Sequence, residues 1–137
     1  MIELIRWLGE QLDEDERIAR AAADYDDGAA HDVVGPPGTW SCLDEAQWFG
    51  PQYRGGVIAP RIGQVNAPEL GAHTARHDPA RVLREIEAKR DLVRFATGIH
   101  DHHETFTTGV AARLEKTLRL YALAYADRPG YREEWKP

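Results

Sequence analysis

Residues 73–95 carry the clearest pattern of apolar and polar positions in the chain. Asp78 and Pro79 are typical of a helix start, because an aspartate accepts hydrogen bonds from first-turn N–H groups and a proline needs no partner there. We therefore expect one continuous helix over residues 79–95 that ends near Thr97–Gly98. After the proline, apolar residues recur at nearly helical spacing; they are Val82, Leu83, Ile86, Leu92 and Val93.

Three further segments have helical patterns. Residues 2–24 place one group of apolar side chains near a single face; these are Ile5, Leu8, Leu12, Ala19 and Ala22. A second group, near the carboxyl end, recurs every three or four residues and predicts an amphipathic helix; it comprises Val110, Leu114, Leu118, Tyr121 and Tyr125. Pro68 favours the start of a short helix before Asp78.

Residues 39–66 contain short apolar runs bounded by glycine and proline, as hairpin strands require. The sequence predicts strands at 39–43, 54–59 and 61–65, with an aromatic turn at 48–51. The loop composition of residues 25–38 separates this region from the first helix.

Together these patterns predict an α+β fold that is mainly helical. We expect about four helices and a small two- or three-stranded antiparallel sheet. At 137 residues the chain is expected to form a single domain. Its predicted parts are helix 2–24, loop 25–38, β region 39–66, helical region 68–126 and C-terminal tail 127–137.

Composition and charge narrow the function classes. The formal net charge is −6, which argues against a broad nucleic-acid footprint and is compatible with a basic protein partner. Cys42 is the single cysteine, so no internal disulfide forms and a cytoplasmic location is expected. The first ten residues do not resemble a secretory signal, and no apolar run predicts a membrane span.

Histidines form the most unusual local chemistry. His73 and His77 are four residues apart, which places both on one face of a helix. His100, His102 and His103 lie beside Asp101 and Glu104, and imidazole and carboxylate groups suit zinc.

The zinc hypothesis pairs the two groups of histidines as metal ligands, with no other cofactor predicted. The alternative is that they are polar residues at helix ends and in an interhelical loop.

Two segments are candidates for partner binding. Asp13, Glu14, Asp15 and Glu16 form an acidic run that either is a solvated helix face or docks a basic partner. Tyr131 and Trp135 belong to an aromatic tail. We expect this tail to fold back as an anchor; if it is exposed, it forms a patch for a partner.

Three stretches resemble a family of uncharacterised small proteins from actinobacteria and their phages. They are H-T-A-R-H-D-P-A-R-V-L-R-E-I-E-A-K-R, the closing T-L-R-L-Y-A-L-A-Y-A-D-R-P-G-Y-R-E-E-W-K-P, and L-D-E-D-E-R-I-A-R-A-A-A near the start. The resemblance implies a source and an architecture, and it implies a domain of unknown function. The resemblance also implies cysteines with zinc-like spacing around residues 99–108, which many members of that family carry and which are absent here.

These features leave three hypotheses, since no nucleophile has a base beside it in sequence. The first is a small accessory protein that binds a host protein without catalysis. The second is a zinc-binding module or metal-dependent hydrolase that uses the histidines. The third is a homo-oligomeric structural component, such as part of a virion.

Overall fold

A computed structural model describes residues 1–24, 33–34, 36–43, 48–50, 52–53, 63–64, 68–101 and 108–137. The described part is mainly helical, as the sequence predicts. Its four α-helices are α1 (Ile2–Ala23), α2 (Pro68–Arg76), α3 (Pro79–Asp101) and α4 (Thr108–Ala122), and two short 3₁₀ helices follow at Leu123–Tyr125 and Glu133–Trp135.

The third helix confirms the continuous helix predicted over residues 79–95 but corrects its end. The predicted stop at Thr97–Gly98 is wrong, because α3 continues to Asp101. The Thr97 hydroxyl donates a 3.0 Å hydrogen bond to the Val93 carbonyl, which keeps this threonine within the helical ladder. Gly98 lies inside this helix without a positive φ, so the glycine does not mark a turn here.

Short strands lie between α1 and α2. They are β1 (Val33–Val34), β2 (Ser41–Leu43), β3 (Trp48–Gly50), β4 (Gln52–Tyr53) and β5 (Gly63–Gln64). β1 pairs with β4, and β3 lies between β2 and β5, all antiparallel. Each strand has only two or three residues, so the small sheet predicted for residues 39–66 is not confirmed.

Individual strand predictions have different outcomes. β2 lies inside the predicted strand 39–43, and the predicted turn at 48–51 is wrong because Trp48–Gly50 pairs as β3. The predicted strand 54–59 lies outside the described residues. Val33–Val34 lies in the segment predicted as a loop, yet it pairs with β4.

The chain packs as two compact units, and the organisation of residues 1–137 as one domain stays a prediction. The first unit comprises Met1–Asp15 and Ile86–Pro137, and the second comprises Glu16–Glu85.

The core of the first unit is built from three helices and the C-terminal segment. Each fully buried leucine contributes about 1.5–3 kcal/mol to the stability of this core. The buried residues are Leu4, Ile5, Trp7 and Leu8 of α1, Ala96 and Ile99 of α3, Leu114, Leu118 and Ala122 of α4, and Tyr125 and Trp135.

Trp7 fixes the C-terminal segment within this unit. Its indole N–H donates a 3.1 Å hydrogen bond to the Pro129 carbonyl. Its ring centre lies 5.1 Å from that of Trp135 and 5.8 Å from that of Tyr131. Gly130 turns the chain beside the indole with a φ of +84°, a conformation that glycine adopts without steric cost.

In the second unit, Asp78 begins α3 as predicted. The side chain is buried, and its Oδ1 accepts a 2.7 Å hydrogen bond from the Arg81 N–H. Its Oδ2 accepts a 3.2 Å hydrogen bond from the Trp40 N–H, and the nearby Gly38 carbonyl accepts one from the Ala80 N–H at 3.1 Å. Such a cap stabilises a helix by about 0.5–2 kcal/mol, and here it also ties α3 to the segment before β2.

Replacing Gly130 with alanine should lower the free energy of unfolding by about 1–3 kcal/mol. The new Cβ would lie 2.9 Å from the Trp7 Nε1 atom at a positive φ. Gly9→Ala is the matched control, because a Cβ there meets nothing within 4 Å inside α1 and should stabilise by about 0.5–1 kcal/mol. Urea denaturation of both variants measures the difference, and equal stabilities would contradict this account.

Candidate functional site

The predicted acidic docking run lies on α1, where arginines pair with three of its acids. Within the first unit, Arg90 Nη2 lies 2.7 Å from Asp13 Oδ1 and Arg128 Nη2 lies 2.6 Å from Asp15 Oδ1. Within the second unit, Arg20 Nε donates a 2.7 Å hydrogen bond to Glu16 Oε1.

Ion pairs as exposed as that of Asp13 stabilise by no more than about 1 kcal/mol, but they cancel local charge. The run is therefore a much weaker negative surface than its sequence indicates. Glu14, the fourth member of the run, is exposed.

Asp15, Arg128 and Tyr125 form a polar cluster in the first unit, in which the first two side chains are only partly buried. Tyr125 is only 4% exposed, and the Arg128 guanidinium lies 4.7 Å from the centre of its ring. Burial, followed by a hydrogen bond with the Asp15 carboxylate, raises the pKa of Tyr125 to about 12. The hydrogen bond to Asp15 likewise raises the pKa of Arg128. These contacts hold the end of the first 3₁₀ helix against α1, and the Tyr125 hydroxyl and the Arg128 guanidinium are both protonated at neutral pH.

The predicted aromatic pair of the tail is docked inside the first unit, which confirms the expected anchor. Trp135 is 7% exposed, and Tyr131 packs edge-on against it with ring centres 6.0 Å apart. Arg119 Nη1 donates hydrogen bonds to the carbonyls of Glu134, at 2.6 Å, and Lys136, at 3.3 Å. The two aromatic residues thus complete the core of this unit, and their predicted role as a partner surface stays a prediction.

The predicted metal ligands are only partly described. His73 is exposed on α2, and His77 is exposed one residue after the end of that helix. Their ring centres are 4.3 Å apart, and His77 Nδ1 lies 2.9 Å from the His73 carbonyl oxygen. The side chain of His100, and all of His102 and His103, lie outside the described residues. Among the residues that the structure describes, no three His, Cys, Asp or Glu side chains lie close enough to hold a metal ion.

Two clefts flank the C-terminal segment of the first unit. One has a volume of about 310 Å³ and is lined by Met1, Glu3, Leu4, Glu115, Arg119, Glu134 and Trp135. The other, of about 380 Å³, is lined by Glu3, Arg6, Trp7, Glu10, Gly130, Arg132 and Trp135. Their charged groups pair with each other, as in Glu3–Arg132 at 2.5 Å and Glu115–Arg119 at 2.7 Å. Polar groups therefore make up most of the exposed lining of both clefts, whereas small-molecule sites usually have a mainly apolar lining.

The least expected surface is the side of α4 that points away from the core. Four residues at spacings of three, four and three define what we call the outer face of α4: Arg113, Lys116 and Leu120 of α4, and Leu123 at the start of the 3₁₀ helix that directly follows it. All four are exposed, Leu120 by 50% and Leu123 by 42%. Val110 and Tyr121 flank this face and are 41% and 37% exposed. Their predicted burial is wrong, whereas Leu114, Leu118 and Tyr125 of the same predicted stripe are buried.

The spacing of apolar residues in the sequence also indicates this exposed face, but the predicted apolar stripe of the helix assigned other residues to the core. The core-facing residues follow their own spacing of three, four, four and three; they are Ala111, Leu114, Leu118, Ala122 and Tyr125. Because a helix turns about 100° per residue, Leu120 and Leu123 lie nearly opposite this series. The helix therefore has apolar residues on two sides, and the described residues of its own unit cover one of them.

Raising the pH from about 10 to about 12 should remove the stability that Tyr125 contributes. Below its ordinary pKa of 10.0 the hydroxyl is protonated in both states, so the contribution is fully present. Between that value and the folded pKa of about 12 only the unfolded state ionises, and the free energy of unfolding falls by about 1.4 kcal/mol per pH unit. Denaturation of the wild type and Tyr125→Phe across this range isolates the effect, because the variant lacks it. A parallel decline in both proteins would contradict the assignment.

Comparison with known proteins identifies the family of this chain but indicates no biochemical activity. No helix in the described ranges has the length and apolar character to cross a membrane. No curated protein and no solved structure matches the chain. One family profile, that of a family of unknown function, matches residues 1–137. Because that match covers the whole chain, the protein belongs to DUF6221, a family of unknown function.

Proposed function

We propose that this protein is a small accessory protein that acts by binding another protein and has no catalytic role. The resemblance of its sequence to proteins of actinobacteria and their phages suggests a host protein as the partner. The observation that carries the proposal is the outer face of α4, where two leucines are about half exposed on a helix whose opposite side already forms the core.

Leaving these leucine side chains in water is unfavourable in free energy. Burying a leucine gains about 1.5–3 kcal/mol relative to leaving it exposed, and the first unit forgoes this gain at Leu120 and Leu123. Tyr121 of the same helix is also partly exposed, at 37%. Grouped apolar residues surrounded by polar ones are typical of sites that bind another protein.

The proposed contact surface differs from the acidic run and the aromatic tail that the sequence indicates. Asp13 and Asp15 already pair with arginines of the same unit. Trp135 is a core residue, and removing it to bind a partner would expose Trp7. The outer face of α4 needs no such rearrangement, because its side chains are already accessible.

Site-specific photocross-linking tests this proposal. A photoreactive phenylalanine at position 120 should form a discrete adduct with a second protein in a lysate of the natural source. The same residue at position 88, an exposed alanine of α3 in the same unit, is the control and should form none. The adduct should exceed the 15.4 kDa chain by a mass that is not another 15.4 kDa. If position 120 yields no adduct beyond those at position 88, the proposed function is wrong.

A second candidate function is a zinc-binding module or metal-dependent hydrolase. It is favoured by the 4.3 Å separation of the His73 and His77 rings, which lets both imidazoles approach one ion after a rotamer change. In this alternative His100, His102 and His103 supply the remaining ligands.

Metal analysis of protein purified without an affinity tag separates the two functions. The accessory function predicts little bound zinc and no change in zinc content after His77→Ala. The alternative predicts one zinc ion per chain that is lost in His77→Ala and His103→Ala. His31→Ala is the matched control, because His31 is the one histidine outside both predicted groups. Stoichiometric zinc with this pattern of loss would replace the accessory function.

A further inference from the structure

We infer that the outer face of α4 binds an amphipathic helix whose apolar residues are accompanied by carboxylates. This inference rests on the proposed function and specifies the chemistry of the partner. The supporting observation is that one exposed helical face presents both cations and both leucines: Arg113, Lys116, Leu120 and Leu123.

The spacing of these four residues indicates a helical partner. Positions 113, 116, 120 and 123 follow the three–four–three pattern with which one helix packs along another. The surface is a convex helix side, which suits side-by-side packing better than an extended strand or a small molecule. A partner helix of about three turns would cover it, since three turns span about 16 Å.

The charge of the partner follows from which cations are already paired. In the first unit, carboxylates lie within ion-pair distance of the guanidinium groups of Arg90, Arg94, Arg119, Arg128 and Arg132. For Arg113 and Lys116, the part of the chain that the structure describes provides no carboxylate partner. A partner that covers the adjacent leucines would also withdraw these two cations from water. That step is favourable only if the partner supplies carboxylates to them.

The need to pair these two cations with carboxylates also disfavours a second copy of this chain as the partner. Two α4 helices packed parallel would place Arg113 and Lys116 against the same cations of the other copy. Packed antiparallel, they would cover cations with leucines. Either arrangement buries unpaired positive charge, which costs several kcal/mol. An acidic amphipathic helix satisfies both the leucines and the cations.

The inferred partner is opposite in charge to the one that the composition indicates. A net charge of −6 and four consecutive acids point to a basic partner. The structure pairs three of those acids with arginines and leaves two cations exposed beside the apolar residues. Local charge at the contact surface governs recognition, because interactions beyond about 8–10 Å are screened at physiological salt.

A displayed library of amphipathic helices tests the inference without knowledge of the natural partner. Each peptide carries fixed leucines on one face and flanking positions drawn from glutamate, lysine, glutamine and alanine. Selection on the immobilised full-length protein should enrich glutamate at the flanking positions. Arg113→Glu should weaken the binding of an enriched peptide by about tenfold or more, and raised salt should weaken binding to the wild type.

Arg84→Glu is the matched control for this charge reversal. Arg84 is exposed on α3 and outside α4, and its substitution changes the net charge by the same amount. We expect Arg84→Glu to leave peptide affinity within about twofold of the wild type. Leu120→Ser should abolish binding, and circular dichroism should show an unchanged helical content in all three variants. A peptide with lysine in place of the enriched glutamates should bind Arg113→Glu more tightly than it binds the wild type.

Four results would overturn the inference. They are selection without glutamate enrichment, equal binding to Arg113→Glu and Arg84→Glu, a dimer in sedimentation equilibrium that Leu120→Ser dissociates, and binding to vesicles of anionic lipid that Arg113→Glu abolishes. If the photocross-link at position 120 forms but charge reversal has no effect, only the acidic partner is wrong. If no cross-link forms, the proposed function fails as well.

Discussion

The contact between Trp7 and the C-terminal segment is the interaction on which the first unit depends. The indole ring touches Tyr125, Tyr131 and Trp135, and its N–H donates a hydrogen bond to the Pro129 carbonyl. A residue near the amino end of the chain thus holds its last turn in place. Without this contact, the buried faces of α1 and α4 would lose their cover and the arginine contacts to the tail would have no fixed partner.

Arginine–carboxylate pairing determines which charges remain on the surface. Arg90 and Arg128 neutralise acids of α1, and Arg119 uses both a carboxylate and two main-chain carbonyls to hold the tail. Burial raises the pKa of the Tyr125 hydroxyl, and its hydrogen bond with Asp15 in the same network raises it further. Charges that look available in the sequence are thus part of the framework of the unit. Within the described residues, the cations of the outer face of α4 have no such carboxylate partner, and they lie beside exposed leucines.

Helix α4 connects packing with the proposed function. Its core side supplies Leu114 and Leu118, which are almost fully buried. Its other side presents Leu120 and Leu123 to solvent beside two cations. Burial of the first side is sufficient to hold the helix in place, so the residues of the second side are not needed for packing within the unit and can bind a partner. A partner helix would pack on α4 in the same way as the helices of its own unit do.

The sequence by itself determined the helices and the break at Asp78–Pro79, because capping and helical periodicity are local properties of the chain. It also favoured docking of the aromatic tail, since exposing such side chains is costly, and the structure shows Trp135 buried. Only the tertiary structure decided which charges are neutralised and which apolar residues stay exposed. Asp15 and Arg128 are far apart in sequence, so their pairing leaves no local pattern, and spacing alone assigned Val110 and Tyr121 to the core. The angular width of the buried stripe on α4 depends on what packs against it, and that information lies in α1, α3 and the tail rather than in α4.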